Sequence, residues 1–193
     1  MLKVGITGGI GSGKTTVCKI FESLGIPVYY ADNEAKRLIE EHPRLVSGYK
    51  KLFGDEVYRN GKLNKQLVAK VIFEDNKLLN KVNALVHPVV REDFIGWVNK
   101  QCAPYVIEEA AVLLESGGHH FLDKVLLVTA PETVRIARVI KRDGVASEEV
   151  LKRIRNQWPD EKRRRFCDYE VLADEKHLVV PQILKIHSEL LNY

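Results

Sequence analysis

Cysteine and long apolar runs are scarce in this sequence of 193 residues. Its three cysteines, Cys18, Cys102 and Cys167, lie far apart and include no Cys-x-x-Cys pair, so we expect reduced thiols in a reducing compartment. No apolar run approaches the roughly 18 residues of a membrane span, and the chain opens with a strand pattern instead of a signal peptide. These absences predict a cytoplasmic protein with no membrane association.

The composition is that of a folded globular protein. Apolar residues make up 45% of the chain and charged residues 29%, which excludes both a disordered and a membrane-embedded protein. A chain of this length can bury one good core and still carry one or two inserted subdomains.

Residues Gly8 to Thr15 read Gly-Gly-Ile-Gly-Ser-Gly-Lys-Thr and match the phosphate-binding P-loop pattern. A strand pattern precedes the loop and an amphipathic helix pattern follows it, so the anion would lie at a helix N-terminus. Lys14 supplies a point charge and the Thr15 hydroxyl can ligate Mg²⁺. The alternative is a glycine-rich turn that happens to precede Lys-Thr. The loop residues that we expect to bind ATP are Gly9, Gly11, Ser12, Gly13, Lys14, Thr15 and Thr16.

Positive charge is concentrated in one segment of the chain. The net charge is +4, but residues 135–165 hold eleven Lys and Arg against five Asp and Glu, which leaves the remainder at −2. Such a stretch can bind nucleic acid, a membrane surface or a polyphosphate. The upstream P-loop favours polyphosphate, so we expect the protein to bind neither nucleic acid nor a membrane. We expect most of these side chains, among them Arg163 and Arg164, to form a solvated helical face.

Strand and helix patterns alternate along the chain, which predicts a P-loop fold of three α/β/α layers around a parallel sheet. Helices are expected from Pro131 to Lys141, from a capping-box pattern at Ser147, and from Pro181 to Leu191. The strands that we expect after the P-loop are Ile26–Ala31, Tyr105–Ile107 with a possible continuation at Val112–Leu114, Val125–Thr129 and Val171–Leu172.

A long helical tract without a convincing strand interrupts the alternating pattern. It is broken at His42-Pro43, Phe53-Gly54, Asn60-Gly61 and His87-Pro88. We therefore predict one P-loop domain over residues 1–193, with a core at about 1–32, 104–134 and 166–193. A helical insert would occupy about 33–103, and a helical lid about 135–165.

Asp32 follows the second strand, at the edge of a parallel sheet where ligands bind. A carboxylate there can accept the proton of a hydroxyl that attacks the γ-phosphoryl group, or hold Mg²⁺ through water. Its other interpretation is an N-cap for a helix starting near Glu34. The two roles are not exclusive.

Arginines on the predicted lid helix would serve phosphoryl transfer by neutralising charge. Arg138 and Arg142 are four residues apart, so they share a helix face that can close over ATP. Glu108 and Glu109 follow the apolar pair Val106-Ile107 and resemble, weakly, a Walker B acid. The catalytic residues expected from these patterns are Lys14, Asp32 and Arg142.

Over nearly its whole length the chain resembles the dephospho-coenzyme A kinase family. The resemblance rests on the opening Val4–Thr16, on Tyr30-Ala-Asp-Asn33 around Asp32, and on short motifs in the family's order. Those motifs are Phe53-Gly54, residues 60–67, His87-Pro88, residues 113–117, Arg142-Asp143, Arg153-Ile154, Gln157 and Asp168-Tyr169. No single motif is specific, but unrelated nucleotide kinases do not share the set.

The resemblance implies transfer of the ATP γ-phosphate to the ribose 3′-hydroxyl of dephospho-coenzyme A, with Mg²⁺ as cofactor and no obligate protein partner evident. It assigns the insert to acceptor binding and the region from Arg138 to Gln157 to the lid. Ala173 or Asp174 stands where the family often has Asn near the adenine, so that contact is not carried over. His87 either orients the acceptor or ends a helix before proline. The acceptor-binding residues expected are Thr7, Asp32, Lys65, His87, Leu114 and Glu115.

Two other functions compete with this reading. A different small-molecule P-loop kinase would differ chiefly in the insert, because that region sets acceptor choice. A nucleotide-dependent binding switch would be expected to carry Asn-Lys-x-Asp, yet none of the four Asn-Lys pairs in the chain has Asp two positions on.

Overall fold

The computed structural model describes the backbone of residues 1–193 and every side chain except those of Lys70, Phe73, Glu74 and Asn76. The chain divides into two compact units, Met1–Tyr30 with Gln101–Tyr193, and Ala31–Lys100. The insert expected at about 33–103 differs from the second unit by two or three residues at each end. Among the described residues, no helix combines the length and the apolar character that a membrane span needs.

Helices and strands alternate in the first unit, whereas the second unit is mostly helical. In chain order they are β1 (Leu2–Thr7), α1 (Lys14–Ser23), β2 (Val28–Tyr30), α2 (Ala31–Glu41), α3 (Pro43–Phe53), β3 (Tyr58–Arg59), β4 (Lys62–Leu63), α4 (Lys65–Glu74), α5 (Asn76–Val98), β5 (Tyr105–Glu109), β6 (Lys124–Thr129), α6 (Glu132–Asp143), α7 (Ser147–Arg155), α8 (Asp160–Arg164), β7 (Tyr169–Leu172) and α9 (Val179–Leu191). Short 3₁₀ turns cover Asp55–Val57 and Gly118–Phe121.

The first unit is built on a five-stranded parallel sheet in the order β2-β5-β1-β6-β7. Strands β1 and β6 lie inside the sheet and are buried over most of their length, and β6 contains the continuous apolar run Val125–Val128, because both faces of a parallel sheet are covered. Helices α1 and α9 pack on one face, where Phe21 and Ile183 are completely buried with Ile6. Helix α8 contacts β6, and Leu113 lies against Gly5. The expected parallel three-layer fold is confirmed.

The second unit contains helices α2 to α5 and a two-stranded antiparallel hairpin, β3-β4. Its interior includes Leu38, Leu45 and Tyr49, and the Tyr58 hydroxyl donates to the Ile39 carbonyl over 2.6 Å. The hairpin was not predicted. Its strands have two residues each, too few for a periodic signal, and only the Asn60-Gly61 turn between them stands out in the sequence.

Three local expectations are corrected by the structure. His87-Pro88 does not end a helix: Pro88 lies inside α5, where burial of Val86, Val89 and Val90 offsets the lost backbone hydrogen bond. Residues 112–114 form a turn and not a continuation of β5. Helix α7 does begin at Ser147, but its N-cap is Ala146 and no side chain caps it.

Candidate active site

The phosphate-binding loop leaves β1 at Thr7 and enters α1 at Lys14. Gly13 is the N-cap of α1 with φ of 105°, a conformation that side chains with a Cβ rarely adopt. A Cβ on Gly8 would collide with the Val128 carbonyl oxygen of β6. The glycines are therefore required by backbone conformation and by close packing, and they aim the loop at the N-terminus of α1.

Lys14 bends its side chain back over the loop. Its Nζ donates to the Gly8 carbonyl at 2.9 Å and to the Gly9 carbonyl at 3.5 Å, which holds the ammonium above the loop backbone. Thr15 and Thr16 are exposed on the first turn of α1. The buried hydroxyls of Thr7 and Ser12 have no hydrogen-bond partner among the described side chains and backbone, although burying a hydroxyl normally requires one. Hydroxyl oxygens and the Lys14 ammonium thus lie together at the loop.

Helix α6 lies against the other side of the loop. Arg135, which is buried, donates from Nε to the Ile10 carbonyl over 3.0 Å. One turn later Arg138 contacts the Ser12 carbonyl at 3.4 Å and the Glu175 carboxylate at 3.4 Å. Arg142 is 61% exposed and grips the carboxylate of its neighbour Asp143 with two hydrogen bonds. Of the two arginines expected to face ATP, only Arg138 touches the loop in this structure.

The turn between α7 and α8 also reaches the loop. The Gln157 Oε1 accepts a hydrogen bond from the Ile10 amide over 2.8 Å. Behind it, Arg163 is completely buried and bridges two carboxylates, Glu115 at 2.8 Å and Asp160 at 3.2 Å. The expectation that Arg163 belongs to a solvated face is therefore wrong. The run of basic residues around Arg163 carried no signal of burial, because its partner Glu115 comes from a distant part of the chain.

The remaining expected acceptor residues fall in both units. In the second unit Asp32 is the exposed second residue of α2, so it is not the N-cap of that helix. Lys65 is exposed at the start of α4, and burial together with Arg91 lowers the pKa of His87. In the first unit Leu114 is 2% exposed, a packing position, and Glu115 Oε1 accepts from Arg163 and from the Trp158 amide. Their contact with an acceptor stays a prediction.

Two further groups lie at the carboxyl ends of the strands. Glu108 and Glu109 are the last residues of β5, and Glu109 is buried. After β7, hydrogen bonds from His177 and from nearby backbone amides lower the pKa of the Asp174 carboxyl to about 2. Gly13 lies beside Ala173, at the start of this turn, and beside the Arg138 guanidinium, which also contacts Glu175. The turn is therefore next to the phosphate-binding loop.

The chain has a parallel sheet with a P-loop after its central strand. The loop carries a lysine of the kind that binds phosphate, and a later helix brings arginines to it. These features define a P-loop kinase. Residues 2–178 match the family model described as dephospho-CoA kinase, and the chain belongs to that family. A dephospho-CoA kinase of Chlorobaculum tepidum is 41% identical, covering 90% of this chain and 86% of its own length. One of Bacteroides fragilis is 37% identical, with 96% and 91% covered. The crystal structure of TT1252 from Thermus thermophilus superposes with a TM-score of 0.88 at 35% identity, covering 98% of this chain and 97% of that one.

Proposed function

We propose that this chain, an ATP-dependent dephospho-CoA kinase, phosphorylates the ribose 3′-hydroxyl of dephospho-CoA in the cytoplasm with Mg²⁺ as cofactor. The observation that carries the proposal is the Lys14 ammonium held over the Gly8 and Gly9 carbonyls at the N-terminus of α1. Phosphoryl transfer needs alignment and charge neutralisation more than covalent help from the protein, and this loop supplies both.

The loop residues suit a magnesium-bound nucleotide. Mg²⁺ prefers hard oxygen ligands and binds through few protein groups together with phosphate oxygens and water. The exposed Thr15 hydroxyl, beside Lys14 on the first turn of α1, is such a ligand. Bound there with ATP, the ion would neutralise charge on the phosphate oxygens. Lys14 adds its own charge as the leaving group departs.

Asp32 is the residue that we propose as general base. It comes two residues after the last residue of β2, and it is exposed and therefore open to a ligand. Its carboxylate would take the proton of the attacking ribose hydroxyl. The acceptor itself would be recognised by the unit Ala31–Lys100, where Lys65 offers a cation. His87, whose pKa is lowered by burial and by Arg91, would orient the acceptor through a hydrogen bond.

The proposal is tested by measuring ADP release with a panel of acceptors that includes dephospho-CoA, adenosine and shikimate. Phosphorus and proton NMR of the product then assign the phosphorylated hydroxyl. We expect turnover only with dephospho-CoA and a phosphate on the 3′ oxygen. Faster turnover with another acceptor, or a phosphate on the 2′ oxygen, overturns the assignment.

A charge-removing variant tests the proposed base. Asp32→Asn should lower kcat by roughly 10²–10⁴, the usual contribution of a general base, with little change in ATP affinity. Glu34→Gln is the matched control, because Glu34 is another carboxylate in the first turn of α2. Removing either one weakens the favourable interaction with the helix dipole similarly. Equal kcat values for the two variants would reduce Asp32 to a helix-stabilising residue.

A further inference from the structure

Ile10, in the middle of the phosphate-binding loop, has both of its backbone polar groups held by side chains from outside the loop. Its amide donates to the Gln157 Oε1 over 2.8 Å, and its carbonyl accepts from the Arg135 Nε over 3.0 Å. These residues lie 147 and 125 positions further along the chain. The conformation of the loop at Ile10 is therefore fixed from α6 and from the turn after α7.

The two side chains are attached to one largely buried charged network, formed by Arg135, Asp160, Arg163 and Glu115. Arg135 also contacts the Asp160 carboxylate at 3.5 Å, and the same carboxylate pairs with Arg163. Gln157 is followed directly by Trp158, whose amide donates to the Glu115 carboxylate that Arg163 bonds. Both contacts to Ile10 thus depend on the same turn between α7 and α8. A buried network of this kind restricts its members to one arrangement.

Close packing of the loop against α6 requires glycine at two loop positions. A Cβ on Gly9 would overlap the Arg135 guanidinium, and one on Gly11 would lie 2.5 Å from the Arg135 backbone oxygen. The side of the loop at Gly9 and Gly11 thus faces α6. Since the Ile10 amide already donates its hydrogen bond to Gln157, phosphate oxygens must be held by the other amides of the loop.

We propose that Gln157 and Arg135 are positioning residues for the phosphate-binding loop: they fix Ile10 so that the remaining loop amides and Lys14 are prearranged for the ATP phosphates. The inference rests on the proposed function only for its catalytic consequence. Preorganisation lowers the entropy lost on binding and keeps the reacting groups aligned. Neither residue touches the acceptor in this role, so substituting either one should change the binding and use of ATP and leave acceptor binding unchanged.

The first experiment measures amide exchange by NMR on the nucleotide-free, full-length chain of 22.0 kDa. Gln157→Met removes the acceptor at similar size, and we expect the Ile10 amide to exchange about 10-fold faster, as for a lost hydrogen bond. Gln157→Glu keeps an acceptor oxygen and should restore the protection. Exchange at Ile10 unchanged by Gln157→Met, in a variant that melts like the wild type, overturns the inference.

The second experiment separates positioning from general stability. Gln157→Met should weaken ADP binding and lower kcat/KM for ATP by about 5- to 20-fold while KM for dephospho-CoA stays unchanged. Arg135→Lys keeps a positive charge beside Asp160 but cannot reach Asp160 and the Ile10 carbonyl together, so a smaller loss in ADP affinity is expected. Arg164→Lys is the matched control, because Arg164 pairs with Glu170 and is expected to leave ADP binding unchanged.

These readouts distinguish two kinds of failure. Amide exchange and ADP binding need no acceptor, so wild-type protein inactive on dephospho-CoA would contradict the proposed function and leave the loop inference standing. Equal losses for Arg164→Lys and Arg135→Lys, or a rise in KM for dephospho-CoA with Gln157→Met, would contradict the positioning role instead.

Discussion

The phosphate-binding loop and the basic segment 135–165 both contain functional candidates, but they differ in what determines the role of each residue. The loop acts through local geometry: Gly13 adopts a left-handed conformation and Lys14 returns to the Gly8 carbonyl six residues earlier. In the basic segment, by contrast, the environment of a side chain can depend on a distant partner, since Arg163 pairs with Glu115, 48 residues away. A local motif therefore indicates its own role, whereas a charge count does not.

Positive charges in the basic segment have three different environments. Arg163 and Arg135 are buried with carboxylates, Arg138 reaches the loop backbone, and Arg164 and Arg142 pair at the surface. Ion pairs at the surface contribute little to stability, while breaking a buried pair leaves an uncompensated charge. Substitutions that look identical in sequence should therefore differ widely in effect.

The largest expected effect is on folding, at Arg163. Arg163→Met leaves the largely buried Glu115 carboxylate without its cation and removes one of the two cations beside Asp160. We therefore expect a loss of about 3–5 kcal/mol in the free energy of unfolding, measured by urea denaturation. Arg163→Lys should also destabilise, because one ammonium cannot bridge both carboxylates as the planar guanidinium does. Arg165→Met, at an exposed position two residues later, is the control. Equal stability of Arg163→Met and Arg165→Met would remove the contrast between the buried and exposed arginines.

The next largest effect is on catalysis, at Lys14. Lys14→Ala removes the charge proposed to meet the phosphate oxygens, and we expect kcat to fall by about 10²–10³, the usual result of removing one preorganised group. The fold should be unaffected, because Lys14 is only partly buried and bonds carbonyls of its own loop. Thermal unfolding and ADP release on the same preparation test both statements. Near-normal kcat in the folded variant would contradict the proposed role.

The fold could be predicted from the sequence where hydrophobic residues recur at a regular spacing or where a known motif is present. The strand Lys124–Thr129 contains the continuous apolar run Val125–Val128, and the P-loop connects β1 to α1 as its pattern requires. The hairpin at Tyr58–Leu63 was missed because a two-residue strand has no period. Pro88 was misread because tertiary packing of α5 overrides the local preference of proline to end a helix.

The site was only partly accessible to sequence reasoning for the same reason. Lys14 and the loop glycines belong to a contiguous motif, so their arrangement follows from local geometry. Gln157 appeared only as one element of a family pattern, and nothing nearby in the sequence connects it with Ile10. Its hydrogen bond exists because the turn after α7 returns to the loop, and such a return depends on the whole fold.

A smaller effect is expected at Arg142. Reaching ATP requires this side chain to leave Asp143, which it binds with both prongs of its guanidinium. Arg142→Lys loses the planar fork, so we expect kcat/KM for both substrates to fall by about 3- to 10-fold, on the scale of one hydrogen bond. Arg153→Lys is the control, because Arg153 pairs with the same Asp143 carboxylate. Equal effects of the two variants on steady-state kinetics would mean that the segment acts as a diffuse positive field.

The smallest effect is expected at Arg164, which is 49% exposed and bonds the Glu170 carboxylate with both prongs. These hydrogen bonds lower the pKa of Glu170 from its usual 4.5, so the pair stabilises the fold above pH 4.5 and loses that contribution as the pH falls. Arg164→Met should therefore reduce the free energy of unfolding by less than about 1 kcal/mol at pH 7, and by less again at pH 3. Urea denaturation at low salt at both pH values measures the difference. A loss that is the same at both values would assign the effect to packing of the arginine stem, and the surface pair would then contribute nothing through its charge.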